Sequence, residues 1–191
     1  MLKLVFLPSD ILHMQSKGIV EVTDEERKIF DGMAEVIKVK HGIGLAAVQV
    51  GILKAMIIVH VDEEASKAYY KNHDLVDIED DYIDYSNDII CATNPIITKT
   101  LGEDRYMEEG CLSIPEQNHG IYRKEKIEVE YIDINNKKVT LKAKGLLARC
   151  FMHEIDHVNG ILYVDHLKNM DKKMAYNKAI KIKQRLLNNE S

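Results

Sequence analysis

His153-Glu154-Ile155-Asp156-His157 dictates a local fold before it suggests a function. Histidines at i and i+4 reach a common metal ion only on an α-helix, where they stand one turn apart. On a strand the same spacing would separate them by about 13 Å. Glu154 lies beside that face, where it can act as a general base without being a ligand. The set offers two nitrogen ligands, a site for a Lewis acid and a base, which is the minimum for metal-assisted hydrolysis. A solvated helix face could carry the same five residues with no such role, so the rest of the chain has to decide.

The chain of 191 residues is long enough for a real core and reads as one domain over 1–191. A net charge of -5 gives no general reason to expect nucleic-acid binding. Cys91, Cys111 and Cys150 are an odd, widely spaced set. They suggest no disulfide framework but a reducing compartment, with thiols free or bound to metal. The apolar stretch Leu4-Val5-Phe6-Leu7 is too short for a signal-peptide core and is closed by Pro8. No window is long and apolar enough to span a membrane, so a cytoplasmic protein is expected.

Thr23-Asp24-Glu25-Glu26 has the form of a capping box. Ile29, Phe30, Met33, Val36 and Ile37 recur behind it at helical spacing, which predicts a helix from about 24 to 40, broken by His41-Gly42-Ile43-Gly44. Lys54 to Val61 reads as a buried strand. Residues 62–88 carry ten acidic residues against two lysines and read as a solvated surface insertion, partly helical or mobile. Strands are expected from Cys91 to Ile97 and from Ile121 to Ile134. A turn at Asn135-Asn136-Lys137-Lys138 and a return over Val139 to Ala143 should follow. Leu146 to Val158 is expected to be the helix that carries the histidines, with Gly160 suited to the left-handed position after its end. Asp171 to Leu187 reads as an exposed amphipathic helix with apolar Met174, Ile180, Leu186 and Leu187.

A catalytic ion of this kind usually has a third protein ligand. Gly160 stands where a longer His-Glu-x-x-His-x-x-Gly-x-x-His pattern has its glycine, but Tyr163 occupies the place of the last histidine. Asp165 and His166 follow the helix stop too closely unless the chain reverses at once. Cys111, after Gly110 and before the Pro115 that ends a short apolar stretch, is the better candidate. Taken alone, it reads as readily as a small buried hydrophobe.

Three segments together resemble peptide deformylase. They are Gly42-Ile43-Gly44-Leu45-Ala46-Ala47-Val48-Gln49, Glu109-Gly110-Cys111-Leu112-Ser113 and His153-Glu154-Ile155-Asp156-His157, in the order of that family. The resemblance extends to Asn94-Pro95, to Gly145-Leu146-Leu147-Ala148 and to Gly160. It implies an α+β fold, with antiparallel β-sheets around a central metal-binding helix and a C-terminal helix outside at about 171–187. It also implies that Cys111, His153 and His157 hold one divalent ion, Fe(II) natively, with zinc, nickel or cobalt as substitutes.

On the same resemblance, the reaction is removal of the N-formyl group from the initiator methionine of nascent chains, releasing formate. Glu154 would move the proton from water to the leaving amine, while the Gln49 side-chain amide and the Leu112 backbone N–H steady the oxyanion. Ile43 and Gly44 would offer backbone to an extended peptide, and Gly110 would also belong to the substrate-binding set. Met107, Leu112 and Cys150 are the candidates for the methionine pocket. Asp156 would pair with Arg123 to brace the metal helix.

The chain departs from the family pattern at Met152, Asn118 and Arg149, where glutamine, arginine and an apolar residue are common. The lysines and arginine of the last helix (Lys168, Lys172, Lys173, Lys178, Lys181, Lys183, Arg185) would allow docking on ribosomal RNA. A monomer is expected, with no membrane partner. Two other readings stand beside this one: a metallopeptidase that cuts internal bonds, and a non-enzymatic metal-stabilised binding module.

Overall fold

The run Met56-Ile57-Ile58-Val59 has no polar face, so a strand made from it has to be covered on both sides. The computed structural model, which describes residues 2–73 and 80–189, covers it with two helices. Met56 and Ile58 pack with Phe30, Met33, Val36 and Ile37 of helix α1 (Asp24–Lys40), while Ile57 and Val59 pack with Leu147 and Phe151 of helix α3 (Gly145–Val158). The strands are β1 (Gly44–Ala46), β2 (Met56–Val59), β3 (Ile90–Cys111), β4 (Ile114–Ile132) and β5 (Lys138–Lys144). They form one five-stranded antiparallel sheet in sequence order, a single sheet where several were expected. Helix α2 (Glu63–Asn72) joins β2 to β3, and α4 (Asn169–Asn189) closes the chain.

Every residue of α3 from Leu147 to Ile155 is buried. A helix wetted on no side is a core element, so its polar members Arg149, His153 and Glu154 have to find partners or a use. The capping box of α1 is present: Thr23 N–H donates to Glu26 Oε2 at 3.0 Å, and Glu25 N–H donates to Thr23 Oγ1 at 3.2 Å. His41 ends α1 in the left-handed region at φ 53°, which turns the chain directly into Gly42 and β1.

Strands β3 and β4 run well beyond the expected limits. Thr98 to Tyr106 is exposed apart from a half-buried Leu101, so no apolar alternation marked it. The two arms pair down to Cys111 opposite Ile114, which leaves Leu112-Ser113 as the tight link between them. The β4–β5 turn lies where Asn135-Asn136 predicted it. Asp133 Oδ1 accepts from the N–H groups of Asn135 and Lys137, each at 2.8 Å, and Asn136 takes φ 62°.

The acidic segment is partly helical and its described acidic residues are exposed apart from a half-buried Asp84; Asp74, Asp77 and Glu79 lie outside the described residues. Asp62 caps α2 by accepting from Ala65 N–H at 2.8 Å. The helix buries Ser66 and Tyr69, with Ser66 donating to Asp84 Oδ2 at 2.7 Å. From Asp80 onward the chain approaches β5: Ile83 N–H donates to Lys142 O and Lys144 N–H to Ile83 O, both at 2.9 Å. Asp81 pairs with Lys142 at 2.7 Å, and Asp80 pairs with Lys126 and Lys144, so lysines of the sheet neutralise the acids.

Helix α4 also differs from its expected face. Its buried stripe is Ala175, Ala179 and Ile182, at i, i+4 and i+7, while Met174 and Ile180 are exposed. The small side chains let it lie against Leu7, Leu12, Ile121 and Tyr163.

Candidate active site

Cys111 ends β3, and His153 and His157 stand one turn apart on α3. The Cys111 sulfur and one nitrogen from each histidine lie within 4.8 Å of one another, with Cys111 Sγ 3.2 Å from His157 Nε2. One soft thiolate with two imidazoles suits zinc or the late first-row divalent ions, and three protein donors leave a tetrahedral ion one open position. Among the described residues this is the one group of three or more such side chains close enough to share an ion. Burial, followed by the nearby charge of His153, pushes the His157 pKa well below the ordinary value. His157 is therefore held neutral, the form that ligates.

His153 is oriented by a carboxylate. Its Nδ1 lies 3.0 Å from Glu109 Oε2, which directs Nε2 toward the cysteine. Glu109 is itself buried and accepts from Arg123 Nε at 2.9 Å, Arg123 Nη2 at 3.0 Å and Arg149 Nη1 at 2.6 Å. Burial opposes its ionisation, but His153 and Arg123 hold its pKa far below the usual carboxylate range. Arg123 Nη1 also donates to Asp156 Oδ2 at 2.6 Å, so the expected Arg123–Asp156 pair is present. Asp156 additionally contacts His166 Nε2 at 2.7 Å.

Glu154 is 4% exposed, and its Oε2 has no hydrogen-bond partner among the described residues. Burial raises its pKa from 4.5 to about 7. A buried carboxyl poised near neutrality, next to a three-donor cluster, is the expected state of a general base before an ion and a substrate arrive. Gly44 makes room for it: a Cβ there would stand 2.5 Å from Glu154 Oε1 and 2.7 Å from Cys150 Sγ.

Gln49, 1% exposed, is fixed at both ends of its amide. Oε1 accepts from Ala46 N–H at 2.7 Å, which orients Nε2 toward Cys111 Sγ at 3.4 Å and Ser113 Oγ at 3.3 Å. A donor so anchored needs no reorganisation to serve an oxyanion.

These groups open into a cavity of about 590 Å³. Its walls include Ile43, Gly44, Gln49, Cys111, His153 and Glu154. Gly110, Leu112 and Cys150 line it as well, and Cys150 Sγ donates to Ile43 O at 3.3 Å. Met107 is not on the wall; it is buried beneath, at 5% exposure, and Leu146 of α3 lines the cavity instead. Of the departures, Asn118 and Arg149 line the cavity, whereas Met152 belongs to the core between α3 and the sheet.

Sequence reasoning assigned no part to Glu109, Leu146 or Leu186, the last of which brings α4 to the cavity. Glu109 lay inside the cysteine motif, but its partners are 14, 40 and 44 residues away, so no local pattern announced them.

The model of the polypeptide deformylase family matches residues 1–173. The chain is 41% identical over 184 residues to the peptide deformylase of Wolbachia pipientis subsp. Culex pipiens, covering 96% of each. It is similar to the crystal structure of peptide deformylase from Ehrlichia chaffeensis, with a TM-score of 0.88 and 34% identity over 98% of this chain and 99% of that one. It is also similar to that species' deformylase in complex with actinonin, with a TM-score of 0.85 and 36% identity over 97% and 98% of the two chains.

Proposed function

The chain belongs to the polypeptide deformylase family, and on that premise we propose that Cys111, His153 and His157 hold one divalent ion beside which Glu154 is the general base. It is a hydrolase that removes the N-formyl group from nascent peptides. When bound, the ion supplies Lewis acidity, which acidifies water and polarises the formyl carbonyl. Glu154 takes a proton of the attacking water on its carboxylate and delivers it to the amine as the C–N bond breaks. Water and amide give formic acid and the amine, and passage of the acid's proton to the amine leaves formate and an ammonium terminus.

Gln49 Nε2 and the Leu112 N–H, in the link between β3 and β4, are the donors for the charge that develops on oxygen. The peptide runs extended beside β1, pairing with the backbone of Ile43, Gly44 and Gly110. Its methionine side chain enters the part of the cavity beside Cys150. The Arg123–Asp156 pair and Glu109 brace the histidine helix. Fe(II) is the native ion, with zinc, nickel or cobalt able to replace it. The chain acts as a cytoplasmic monomer, one domain over 1–191, and among its described helices none is long and apolar enough to cross a membrane.

The observation that carries this reading is the buried, unpartnered Glu154 carboxyl beside the three donors. The test is formate release from a short formyl-methionyl peptide by anaerobically iron-loaded protein, compared with Glu154→Ala. Activity in the wild type and its loss in a variant that retains metal support the assignment; full activity in the variant overturns it.

Docking on the ribosome through α4 is supported by exposed Lys173, Lys178 and Lys181, although Lys172, Lys183 and Arg185 are engaged with Asp165, Pro8 O and Glu116. Reversing the three exposed charges should abolish ribosome co-sedimentation at low salt; unchanged co-sedimentation removes the idea.

A further inference from the structure

Successive residues of β1 face opposite sides of the sheet. Ala46 packs with Ile57, Val59 and Phe151 on the α3 side, and Leu45 packs with Met56, Ile58 and Phe30 on the α1 side. Gly44 follows the same alternation: a Cβ on it would point to α3 and meet Glu154 and Cys150. Leu4 and Leu112 pack against the core of the α1 side, and a Cβ on Gly42 would meet Leu112 at 3.0 Å. Leu4, Gly44, Leu112 and Cys150 all line one cavity, which therefore wraps the unpaired edge of β1 and has a wall on each face of the sheet.

A peptide added as a strand at that edge sends its side chains alternately to the two faces. With the first side chain beside Cys150 on the α3 side, the second is sent to the α1 side. The cavity wall there is apolar. Leu4 and Phe6, two residues apart in the N-terminal segment, line it together with Leu112. That segment is held in place by Val5 N–H, which donates to Gln49 O at 2.8 Å, and by Leu7 N–H, which donates to Ser113 O at 3.0 Å. Helix α4 brings Leu186 to the same cavity: Lys183 Nζ donates to Pro8 O at 3.0 Å, and Arg185 pairs with Glu116. Leu4, Phe6, Leu112 and Leu186 are each half-buried, so an apolar group laid against them removes further apolar surface from water. Lys40 and His41 also line the cavity, but both are exposed, and an exposed charge attracts an exposed partner only weakly.

We propose that Leu186, with Leu4 and Phe6, makes this site selective for a bulky apolar second residue in the formylated peptide, so that the N-terminal segment and α4 take part in the choice of substrate. The proposal rests on the deformylase reading of the site. The first residue is chosen on one face of the sheet and the second on the other.

The test is competition in one reaction among formyl-methionyl tripeptides that differ only in the second residue: leucine, serine and aspartate. Because the ratio of rates is read on a single enzyme sample, loss of metal or partial unfolding cancels. The wild type should favour the leucine peptide over the serine peptide by about 10-fold. Leu186→Ser should lower that ratio by about 3-fold or more, while Leu186→Met, which keeps an apolar side chain of similar volume, should preserve it. A wild type that does not favour leucine over serine, one that favours aspartate over leucine through Lys40 and His41, or a ratio unchanged by Leu186→Ser overturns the proposal. Absence of formate from all three peptides with the iron-loaded wild type overturns the deformylase reading itself, and this proposal with it.

Discussion

Glu109 Oε2 lies 3.0 Å from Nδ1 of His153, so a carboxylate that touches no ion orients one of the three donors that would. The same carboxylate balances two guanidinium groups, those of Arg123 and Arg149. Glu109→Gln should therefore weaken metal binding by about 10- to 100-fold. It should also lower stability by about 3 kcal/mol, because buried cations lose their counter-charge. Chelator competition and urea unfolding measure the two effects separately; unchanged metal affinity would disprove the orienting role.

Gly44→Ala places a methyl group against Glu154 and Cys150, at 2.5 Å and 2.7 Å before any relaxation. The base must shift, and a displacement of about 1 Å at a reacting group costs about 100-fold in rate. The expected outcome is a collapse of kcat with the metal content of the wild type, read by formate assay and metal analysis on the same sample. Wild-type turnover would show that Glu154 does not need its present position.

The N-terminus of α1 should show a pH signature. Lys54, followed by Thr23, holds the Glu26 pKa at about 2, below its ordinary 4.5. A lowered folded-state value means that the ionised carboxylate stabilises the fold above pH 4.5, and that this contribution fades as the pH falls toward 2. The melting-temperature gap between wild type and Glu26→Gln should thus be full at neutral pH and shrink through that window. A gap that stays constant would place the cost of the substitution in packing instead.

Gly160 closes α3 at φ 74°, and a Cβ there would meet the backbone oxygen of His13 at 2.5 Å. Gly160→Ala adds left-handed strain of about 1–2 kcal/mol to a contact that backbone cannot easily yield. Denaturant midpoints should fall accordingly; a variant as stable as the wild type would mean that the N-terminal segment gives way freely.

Elements whose signals are local were legible. Thr23 and Glu26 marked α1, and the histidine spacing with Gly160 marked α3 and its end. The three donors, Gln49 and Glu154 came from short motifs, and the structure brings them together. Harder to see was whatever depended on distant partners. The polar residues from Thr98 to Tyr106 became strand because backbone pairing, which has no side-chain signature, continues through them. In α4 the obvious apolar residues Met174 and Ile180 face solvent, because only the alanines permit the close approach to Tyr163 and its neighbours. Arg149 looked like an oddity in an apolar place until Glu109, Ile121 and Arg105 appeared around it.

A sheet has two borders, and this one treats them differently. At Lys142–Lys144 the acidic segment lays Ile83 against β5 and takes up the pairing groups of Lys142 and Lys144 there. The other border is β1, which flanks the cavity and pairs on one side only. An extended chain that meets this molecule therefore finds a berth beside Gly44, while the Lys142–Lys144 stretch of the far border is already taken. The segment that gave the sequence its most disordered-looking passage thereby covers the end of one border, and the berth beside Gly44 stays open for a visiting strand.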